Sequence, residues 1–322
     1  MRSAKAFAPG NISCIFVIKK TKNPAKSGSL GMGFTVNKGV TATIKKINNE
    51  KKHIKKLSNY IKSNKKIIIN NKKNQNNDKN RKNTIYFNNK KINFPTVNSV
   101  VENLTDEKVI VGIKSQLPLG YGFGISGAAA LATAYALNKL FNLKKSKKEI
   151  AMIAHIAEVE NSTGLGDVVN QYFGGFLAKY ESSYKFKIHR IPINNKKIYY
   201  KYFSPIETKK VISNEKIKDR INNAGIRALN KIKALNARKS KISGTNSVGK
   251  NNINIKNIIK ISKEFSIDSG LLKSKKTISL IKNIEKNNGN ASMIMLSNAV
   301  FSNIYFRGSK ELMIKDKGAC LV

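Results

Sequence analysis

The sequence predicts a protein of mixed helices and strands, arranged around a central glycine-rich loop. Residues 4–18 and 33–44 carry β-branched and aromatic residues between glycines, a pattern that favours strands. An apolar, strand-like stretch at 109–113 leads into the loop Pro118–Ala130, which reads P-L-G-Y-G-F-G-I-S-G-A-A-A. A helix-forming stretch at 128–141 follows at once. These segments together predict N-terminal strands and a strand–loop–helix unit.

The segments between these elements are rich in glycine or low in complexity. Gly28–Gly33 is interpreted as a second glycine-rich loop, between the two N-terminal strands. Lysine and asparagine dominate the region 45–91. Within it, 67–69 and 84–87 are candidate surface strands, and 71–83 is predicted to be a solvated, mobile loop.

Helices and strands continue to mix after the central helix. The second helix opens with the capping box Ser146-Lys147-Lys148-Glu149 and runs to about Glu160. The later predicted elements are a loop at 161–167, a short helix ending at Gly174-Gly175, strands within 176–203, lysine-rich helices from about 204, and strand-like segments at 292–296 and 303–306.

Length and composition indicate a globular protein of two domains. The chain has 322 residues, of which 40% are hydrophobic, enough for a substantial core. It has no run of about 18 apolar residues, so no transmembrane helix is expected. The N-terminus lacks the apolar segment of a signal peptide. Its two cysteines, Cys14 and Cys320, predict no disulfide framework and favour a cytoplasmic location.

The charge is strongly positive, with 61 basic and 18 acidic residues giving +43. A nucleic-acid binder is one interpretation. The lysine is spread along the whole chain, however, and arginine, which makes bidentate base and phosphate contacts, is rare. A biased composition explains this pattern better, and no specific nucleic-acid partner is expected.

The central loop has the chemistry of a phosphate cradle. Its glycines, at 120, 122, 124 and 127, let the backbone turn through positive φ and let a ligand approach bare N–H groups. The helix that follows adds free amide donors and a partial positive charge. A nucleotide or another phosphorylated ligand is therefore predicted. A tight turn in which the glycines serve packing alone is the alternative.

Two other nucleotide-binding motifs are considered and set aside. Residues 122–127 satisfy G-x-G-x-x-G, but a dinucleotide site needs a strand and an acidic residue after the helix, where this chain has a polar turn and another helix. Residues 244–250 approach a Walker A loop, but Asn251 stands where Ser or Thr would hold Mg²⁺.

Two carboxylates near the second glycine loop are candidates for chemistry. Asp167 follows two glycines and precedes a helix, so it is either an N-cap or an acceptor for a hydroxyl proton. Glu158 shares a small, apolar helix face with Ala151 and Ala154, where a carboxylate needs a partner such as Mg²⁺. The alternative for Glu158 is a surface glutamate.

These motifs resemble those of the GHMP kinases, the superfamily of galacto-, homoserine, mevalonate and phosphomevalonate kinases. The segment 118–128 resembles their second motif, P-x-G-x-G-L-G-S-S-A, and Ala8-Pro9-Gly10 resembles their first. The loop 164–171, closing on Gly174-Gly175, resembles the one that carries the catalytic aspartate. The order and spacing fit over most of the chain.

Within this superfamily the details are most similar to the archaeal pantoate kinases. The similar pieces are G-S-L-G-M-G-F at 28–34, G-F-G-I-S-G-A-A-A-L at 122–131, A-H-I-A-E-V at 154–159, T-G-L-G-D-V-V at 163–169 and S-M-I-M-L…V-F at 292–301.

The resemblance implies an α+β protein with the GHMP kinase fold. Residues 1–180 would form an α/β domain like ribosomal protein S5 domain 2, and residues 181–322 a ferredoxin-like α+β domain. It implies that ATP lies between them, contacting Pro118, Gly120, Gly122, Phe123, Gly124, Ile125, Ser126, Gly127 and Ala128.

The resemblance also implies the roles of the remaining site residues. Ser126 and Glu158 would hold Mg²⁺, and Asp167 would face the acceptor hydroxyl. The implied acceptor pocket consists of Asn11, Ser13, Gly28, Ser29, Gly31 and Gly33.

The sequence departs from the family pattern at two places. Many relatives carry a basic residue after the first Pro-Gly, where this chain has Asn11, so the positive charge must come from another residue, with Lys5 and Lys19 as candidates. The third glycine-rich motif is replaced by Asn290-Ala291-Ser292-Met293, as in the pantoate kinase pattern.

The implied activity is Mg²⁺- and ATP-dependent phosphorylation of pantoate to 4-phosphopantoate in archaeal coenzyme A biosynthesis. The alternatives are another GHMP kinase, of the homoserine, shikimate or mevalonate type, and a basic RNA-binding protein with an S5-like domain. Pantoate and ATP are the expected partners, no membrane partner is expected, and a homodimer is possible.

Overall fold

The computed structural model describes residues 3–47, 83–193, 197–206, 211, 214–242 and 254–322, with the backbone only for 236–242. Three predictions fall outside these residues: the strand at 67–69, the loop at 71–83 apart from Asn83, and the Walker-like segment at 244–250.

Strands dominate the N-terminal third of the chain and return near its C-terminal end. They are β1 (Ser3–Lys19), β2 (Gly28–Lys46), β3 (Thr84–Phe87), β4 (Lys90–Lys91), β5 (Val109–Ser115), β6 (Phe176–Lys179), β7 (His189–Arg190), β8 (Lys197–Pro205), β9 (Ala291–Met293), β10 (Ser297–Ser302), β11 (Lys310–Met313) and β12 (Cys320–Leu321).

The helices lie between these strands. They are α1 (Pro95–Leu104), α2 (Ile125–Phe141), α3 (Lys147–Glu160), α4 (Asp167–Phe173), α5 (Glu215–Ile242), α6 (Ile255–Asp268) and α7 (Lys275–Lys286). Helix α3 begins with the predicted capping box, in which Ser146 accepts from the Glu149 amide and Glu149 from the Ser146 amide.

The described strands form two sheets. The first runs β12-β1-β2-β5-β3-β4, with β6 paired to β2 and β7 to β6, and it is antiparallel except for the parallel pair β3–β5. The second runs β11-β8-β10-β9. The mixture of strands and helices agrees with the prediction. The expected boundary near residue 180 falls between β6 and β7, which belong to the first sheet, as does β12.

The pairing of β1 with β2 shapes the edge of the site. Its register shifts between Pro9 and Asn11 and again between Ser13 and Ile15. Such irregularities re-aim side chains. Here they flank the short segment that carries Asn11 and Ser13.

The interpretation of Gly28–Gly33 as a loop is wrong, because these residues are the first part of β2 and pair with β1 and β6. The glycines serve a close backbone approach rather than a turn. A Cβ at Gly33 would lie 2.6 Å from the Ile12 carbonyl oxygen, and one at Gly31 would collide with the Ile15 carbonyl. The missing side chains therefore let β1 and β2 come together there.

The prediction of a strand at 303–306 is also wrong, because the strand β10 ends at Ser302. Residues after it turn, with the Asn303 side chain accepting from the Asn290 amide. The segment predicted at 292–296 is a strand only as far as Met293, in β9.

Helix α2 is the centre of the core. Thirteen of its seventeen residues are buried, including an unbroken run from Gly127 to Leu137. Cys14 is buried on β1 and both cysteines are free thiols. None of the described helices is both long enough and apolar enough to cross a membrane.

Candidate active site

A cavity of about 410 Å³ opens where the central loop, strands β1 and β2, and the loop between α3 and α4 meet. Its size is in the range typical of small-molecule sites. The predicted site residues that line it are Ser13, Ser29, Gly31, Gly120, Gly122, Phe123, Gly124, Ile125, Ser126, Glu158 and Asp167. The predicted residues that do not line it are Asn11, Gly28, Gly33, Pro118, Gly127 and Ala128.

The central loop reaches α2 through three left-handed glycines, Gly120, Gly122 and Gly124, with φ of 86°, 76° and 61°. Gly124 is the N-cap of α2 and brings no capping side chain. The first N–H groups of a helix have no intrahelical acceptor. The amides of Ile125 and Ser126, which line the cavity, can therefore bind an anion there, assisted by the helix dipole.

Neighbouring side chains fix the path of this loop. The rings of Tyr121 and Phe123 pack edge-on against Tyr202 and Tyr200 of β8, with centroids 4.9 and 5.2 Å apart. The Gln171 amide donates to the Gly124 carbonyl over 2.7 Å. The loop is therefore held in shape before any ligand binds.

Asp167 begins α4 and lies beside the start of α2 in the wall of the cavity. Its Oδ1 accepts from Asn11 Nδ2 at 2.7 Å and from Ser13 Oγ at 3.3 Å. Its Oδ2 accepts no hydrogen bond from the described residues, which leaves this oxygen for a ligand. A Cβ at Gly124 would lie 3.2 Å from Asp167 Cγ, so the carboxylate and the amides at the helix start are neighbours.

Burial raises the pKa of the Asp167 carboxyl, and Lys179, Asn11 and Ser13 offset that rise by stabilising the anion. The carboxylate is thus more basic than one in water. This property suits a group that orients a hydroxyl and receives its proton.

Lys179 is a buried cation beside this aspartate. It lines the cavity from the end of β6, and only 4% of it is exposed. Its ammonium donates to the Gly166 carbonyl at 3.0 Å and to Asn170 Oδ1 at 2.7 Å. Burial lowers its pKa to about 8, although the charges of Asp167 and Glu158 act in the opposite direction.

The sequence did not identify Lys179 as a site residue. Lys5 and Lys19, the candidates for the missing positive charge, are exposed and do not line the cavity, so that expectation is wrong. Lys179 follows an ordinary strand segment in a chain with 61 basic residues, and only tertiary structure singles it out.

Glu158 is fully buried on α3. Among the described residues, neither of its carboxylate oxygens has a partner that meets the distance and angle requirements of a hydrogen bond. Burial and the nearby Asp167 raise its pKa well above the ordinary value, with the Val168 amide and Lys179 acting more weakly the other way. Such an orphaned carboxylate is costly unless a cation meets it.

A chain of hydroxyls connects Ser126 to the backbone of this glutamate. Ser126 Oγ donates to Thr96 Oγ1 at 3.3 Å, and Thr96 Oγ1 is 3.1 Å from Thr163 Oγ1. Thr163 Oγ1 in turn donates to the backbone carbonyl of Glu158 at 3.4 Å. The described residues contain no cluster of three or more His, Cys, Asp or Glu that could hold a metal. One carboxylate and one hydroxyl nevertheless fit Mg²⁺, which takes its other ligands from phosphates and water.

His155 and Glu160, two other polar residues on α3, lie outside the cavity. The ring of His155 is buried and its Nε2 lies 3.0 Å from the Ser27 carbonyl, which secures the start of β2. Glu160 is exposed. Neither residue lines the cavity.

We expect Gly124→Ala to weaken both folding and activity. A Cβ there would lie 2.9 Å from Gln171 Nε2 and 3.2 Å from Asp167 Cγ, and φ is left-handed. The left-handed conformation costs alanine about 1–2 kcal/mol of folding free energy. Displacement of Asp167 should lower kcat by about tenfold or more, because small misplacements of a reacting group slow catalysis by this order. Thermal unfolding and steady-state rates measure the two effects. The control is Gly112→Ala on β5, where a Cβ would meet only the Thr43 carbonyl at 3.7 Å. Equal behaviour of the two variants would contradict the prediction.

Comparisons with known proteins show the family to which the chain belongs. Residues 94–175 match the family described as GHMP kinases N terminal domain. The chain is 31% identical over 303 residues to the pantoate kinase of Methanocaldococcus jannaschii, covering 92% of this chain and 90% of that protein. It is 28% identical over 302 residues to the pantoate kinase of Methanospirillum hungatei, covering 92% and 86%. A solved structure titled "Phosphotransferase related to CoA biosynthesis pathway" superposes with a TM-score of 0.72 at 20% identity, covering 99% and 98%.

The fold and the cavity define the class as a GHMP kinase, an enzyme that uses ATP to phosphorylate a small molecule. The predicted α+β GHMP kinase fold is confirmed by the family match and the structural likeness. Identity over nearly the whole length gives the narrower assignment. The chain belongs to the pantoate kinase family of the GHMP kinases.

Proposed function

We propose that the protein transfers the γ-phosphoryl group of ATP to pantoate, giving 4-phosphopantoate and ADP on the archaeal route to coenzyme A. The observation that supports this proposal most strongly is that one cavity is bordered by the Asp167 carboxylate, the free amides at the start of α2 and the Lys179 ammonium. An alcohol, an anionic phosphate chain and an acceptor carboxylate need these three groups. Curated relatives named pantoate kinase support the choice of acceptor.

The reaction follows from the placement of Asp167. The primary hydroxyl oxygen of the acceptor attacks the γ-phosphorus in line, while the bond from that phosphorus to the β–γ bridging oxygen breaks. Asp167 Oδ2 orients the hydroxyl and receives its proton late in the step. Positioning and charge neutralisation supply most of the acceleration.

The triphosphate binds along the central loop in this proposal. The amides of Ile125 and Ser126, which line the cavity, donate to its oxygens, and the left-handed turns at Gly122 and Gly124 leave the approach open. Pro118, Gly127 and Ala128 support the loop from behind the cavity wall.

Lys179 anchors the acceptor. An ammonium has three donors, and two of them serve Gly166 and Asn170. The third is available to the pantoate carboxylate beside Ser13, Ser29 and Gly31. Asn11, Gly28 and Gly33 support that pocket without lining it.

Mg²⁺ is the expected metal, held by Ser126 and Glu158 together with the phosphates. When bound, it neutralises charge on the transferring phosphoryl group. The orphaned oxygens of Glu158 support this assignment.

We expect Ser126→Ala and Glu158→Gln each to raise the Mg²⁺ concentration needed for half-maximal rate by about tenfold or more, because each removes a hard oxygen ligand. A Mg²⁺ titration at saturating ATP measures the shift. Glu160→Gln, an exposed change on the same helix, is the control. Unchanged titrations for both variants would remove these residues from the metal site.

A panel of acceptors tests the proposed function. The purified protein is given ATP and Mg²⁺ with pantoate, homoserine, shikimate or mevalonate, and ADP and the phosphorylated product are measured. Selective turnover of pantoate supports the proposal, and preference for another acceptor moves the protein to that type of GHMP kinase. No turnover with any acceptor, together with tight RNA binding that resists salt, would favour the RNA-binding alternative.

We also infer a cytoplasmic enzyme of archaeal type, since both cysteines are free thiols and the curated relatives above are archaeal. A homodimer is the default expectation for such an enzyme. Light scattering on the purified protein measures the oligomeric state.

A further inference from the structure

A line of hydrogen bonds connects the buried lysine to the aspartate that faces the acceptor. Lys179 Nζ donates to Asn170 Oδ1 at 2.7 Å. Asn170 Nδ2 donates to Asn11 Oδ1 at 3.0 Å, and Asn11 Nδ2 donates to Asp167 Oδ1 at 2.7 Å. The two asparagines and the lysine are almost completely buried, so water does not compete with these bonds.

The two ends of this line fix its direction. An ammonium can only donate, and an ionised carboxylate can only accept. Each amide between them must therefore accept through its oxygen on the lysine side and donate through its nitrogen on the aspartate side. Only one orientation of both amides satisfies every group, and buried polar groups left without partners are costly.

We propose that Asn170 and Asn11 are positioning residues, which form a relay that lets the charge of Lys179 hold the Asp167 carboxylate without a direct ion pair. This inference rests on the proposed function and extends it to residues that do not touch the reacting atoms. The relay occupies Oδ1 of Asp167, so Oδ2 is the oxygen presented to the acceptor.

The arrangement explains how this chain works with an asparagine after the first Pro-Gly. Asn11 is neutral, so it brings no charge of its own to the Asp167 carboxylate. Here the amide of Asn11 supplies the donor, and the cation lies two amides away at the acceptor side of the cavity. One lysine thus serves both the acceptor and the aspartate.

The test compares two changes at Asn170. Asn170→Asp keeps the shape but cannot donate to Asn11 while ionised. Asn170→Ser loses volume but keeps a hydroxyl that both accepts and donates. The relay predicts that kcat with pantoate falls about 30-fold or more in Asn170→Asp and about tenfold or less in Asn170→Ser, with KM for ATP within about twofold in both. A role in packing alone predicts the reverse order, since the smaller side chain leaves the larger cavity.

The matched control is Asn138→Asp, near the far end of α2, where the side-chain amide hydrogen-bonds, among the described residues, to the Lys145 backbone alone. It should leave kcat unchanged. The double variant Asn11→Ser/Asn170→Asp should lose little more kcat than the less active of the two single variants, because members of one relay are not independent. Fold losses that multiply, or an Asn170→Ser protein slower than Asn170→Asp, would overturn the relay.

A readout that needs no substrate separates this inference from the proposed function. In ¹⁵N-asparagine-labelled protein, the side-chain amide signal of Asn11 should move in Asn170→Asp and stay in place in Asn138→Asp. If the wild-type protein does not phosphorylate pantoate but the Asn11 signal moves in Asn170→Asp, the proposed function is wrong and the relay is still supported. If Asn170→Asp does not fold, Asn170→Ser, Asn11→Ser and their double variant give the same comparison of single and double losses in kcat. An Asn11 signal that does not move in Asn170→Ser, together with an unchanged kcat, rejects the relay.

Discussion

Asp167→Asn is expected to lower kcat with pantoate by about 10³-fold, which is within the range that a positioned acid–base group contributes. The variant keeps the shape of the side chain and an oxygen to accept from Asn11 and Ser13, so its position should survive. It loses the negative charge that orients the hydroxyl and receives its proton. Steady-state kinetics should show the fall in kcat, and calorimetry should show ATP affinity within about threefold of the wild type.

Asp106→Asn is the matched control, because the same chemical change falls on an exposed residue outside this cavity. It should leave both constants unchanged. Wild-type turnover in Asp167→Asn would rule out the role of Asp167. A loss of ATP affinity equal to the loss in kcat would show instead that the carboxylate helps to bind nucleotide.

Lys179→Met should lower kcat/KM for pantoate by about 100-fold, the order expected when a buried charge-assisted hydrogen bond is lost. Methionine has nearly the length of lysine but no charge and no donor. KM for ATP should change much less, because the amides of Ile125 and Ser126 are untouched. Kinetics with each substrate varied in turn measure the two effects.

The pH dependence gives an independent check on Lys179. Its pKa is lowered to about 8, so the ammonium is present below that pH and is lost as the pH rises through it. Wild-type kcat/KM for pantoate, which reports the free enzyme, should therefore fall on the alkaline side around pH 8. In Lys179→Arg the fall should disappear, because a guanidinium stays charged. Lys5→Met, at an exposed lysine, should keep the wild-type profile. A profile unchanged in Lys179→Arg would contradict the assignment.

Local patterns in the sequence were enough to predict much of the fold. The glycine loop before α2, the capping box at Ser146 and the short helix after Asp167 are all set by residues close together in the chain. Their signals are turn chemistry and helix termini, which depend little on distant contacts.

The failures involve distant partners. Gly28–Gly33 has the composition of a loop, yet it is a strand because β1 lies against it. The residues around position 30 carry no local signal that predicts this contact. Lys179 is likewise an ordinary lysine in sequence. Its importance comes from burial next to Asp167 and Asn170, which are brought together by the pairing of β6 with β2.

The aromatic rings of the central loop have a mechanical consequence. Tyr121 and Phe123 pack against Tyr202 and Tyr200, so the loop that would bind the nucleotide is coupled mechanically to the second sheet. Any rotation of that sheet away from the first would have to drag the loop along or separate these rings. Bending would then concentrate at Gly120 and Gly124, where the backbone is least restricted. Opening of the cleft and loosening of the grip on spent nucleotide would in that case be one movement rather than two.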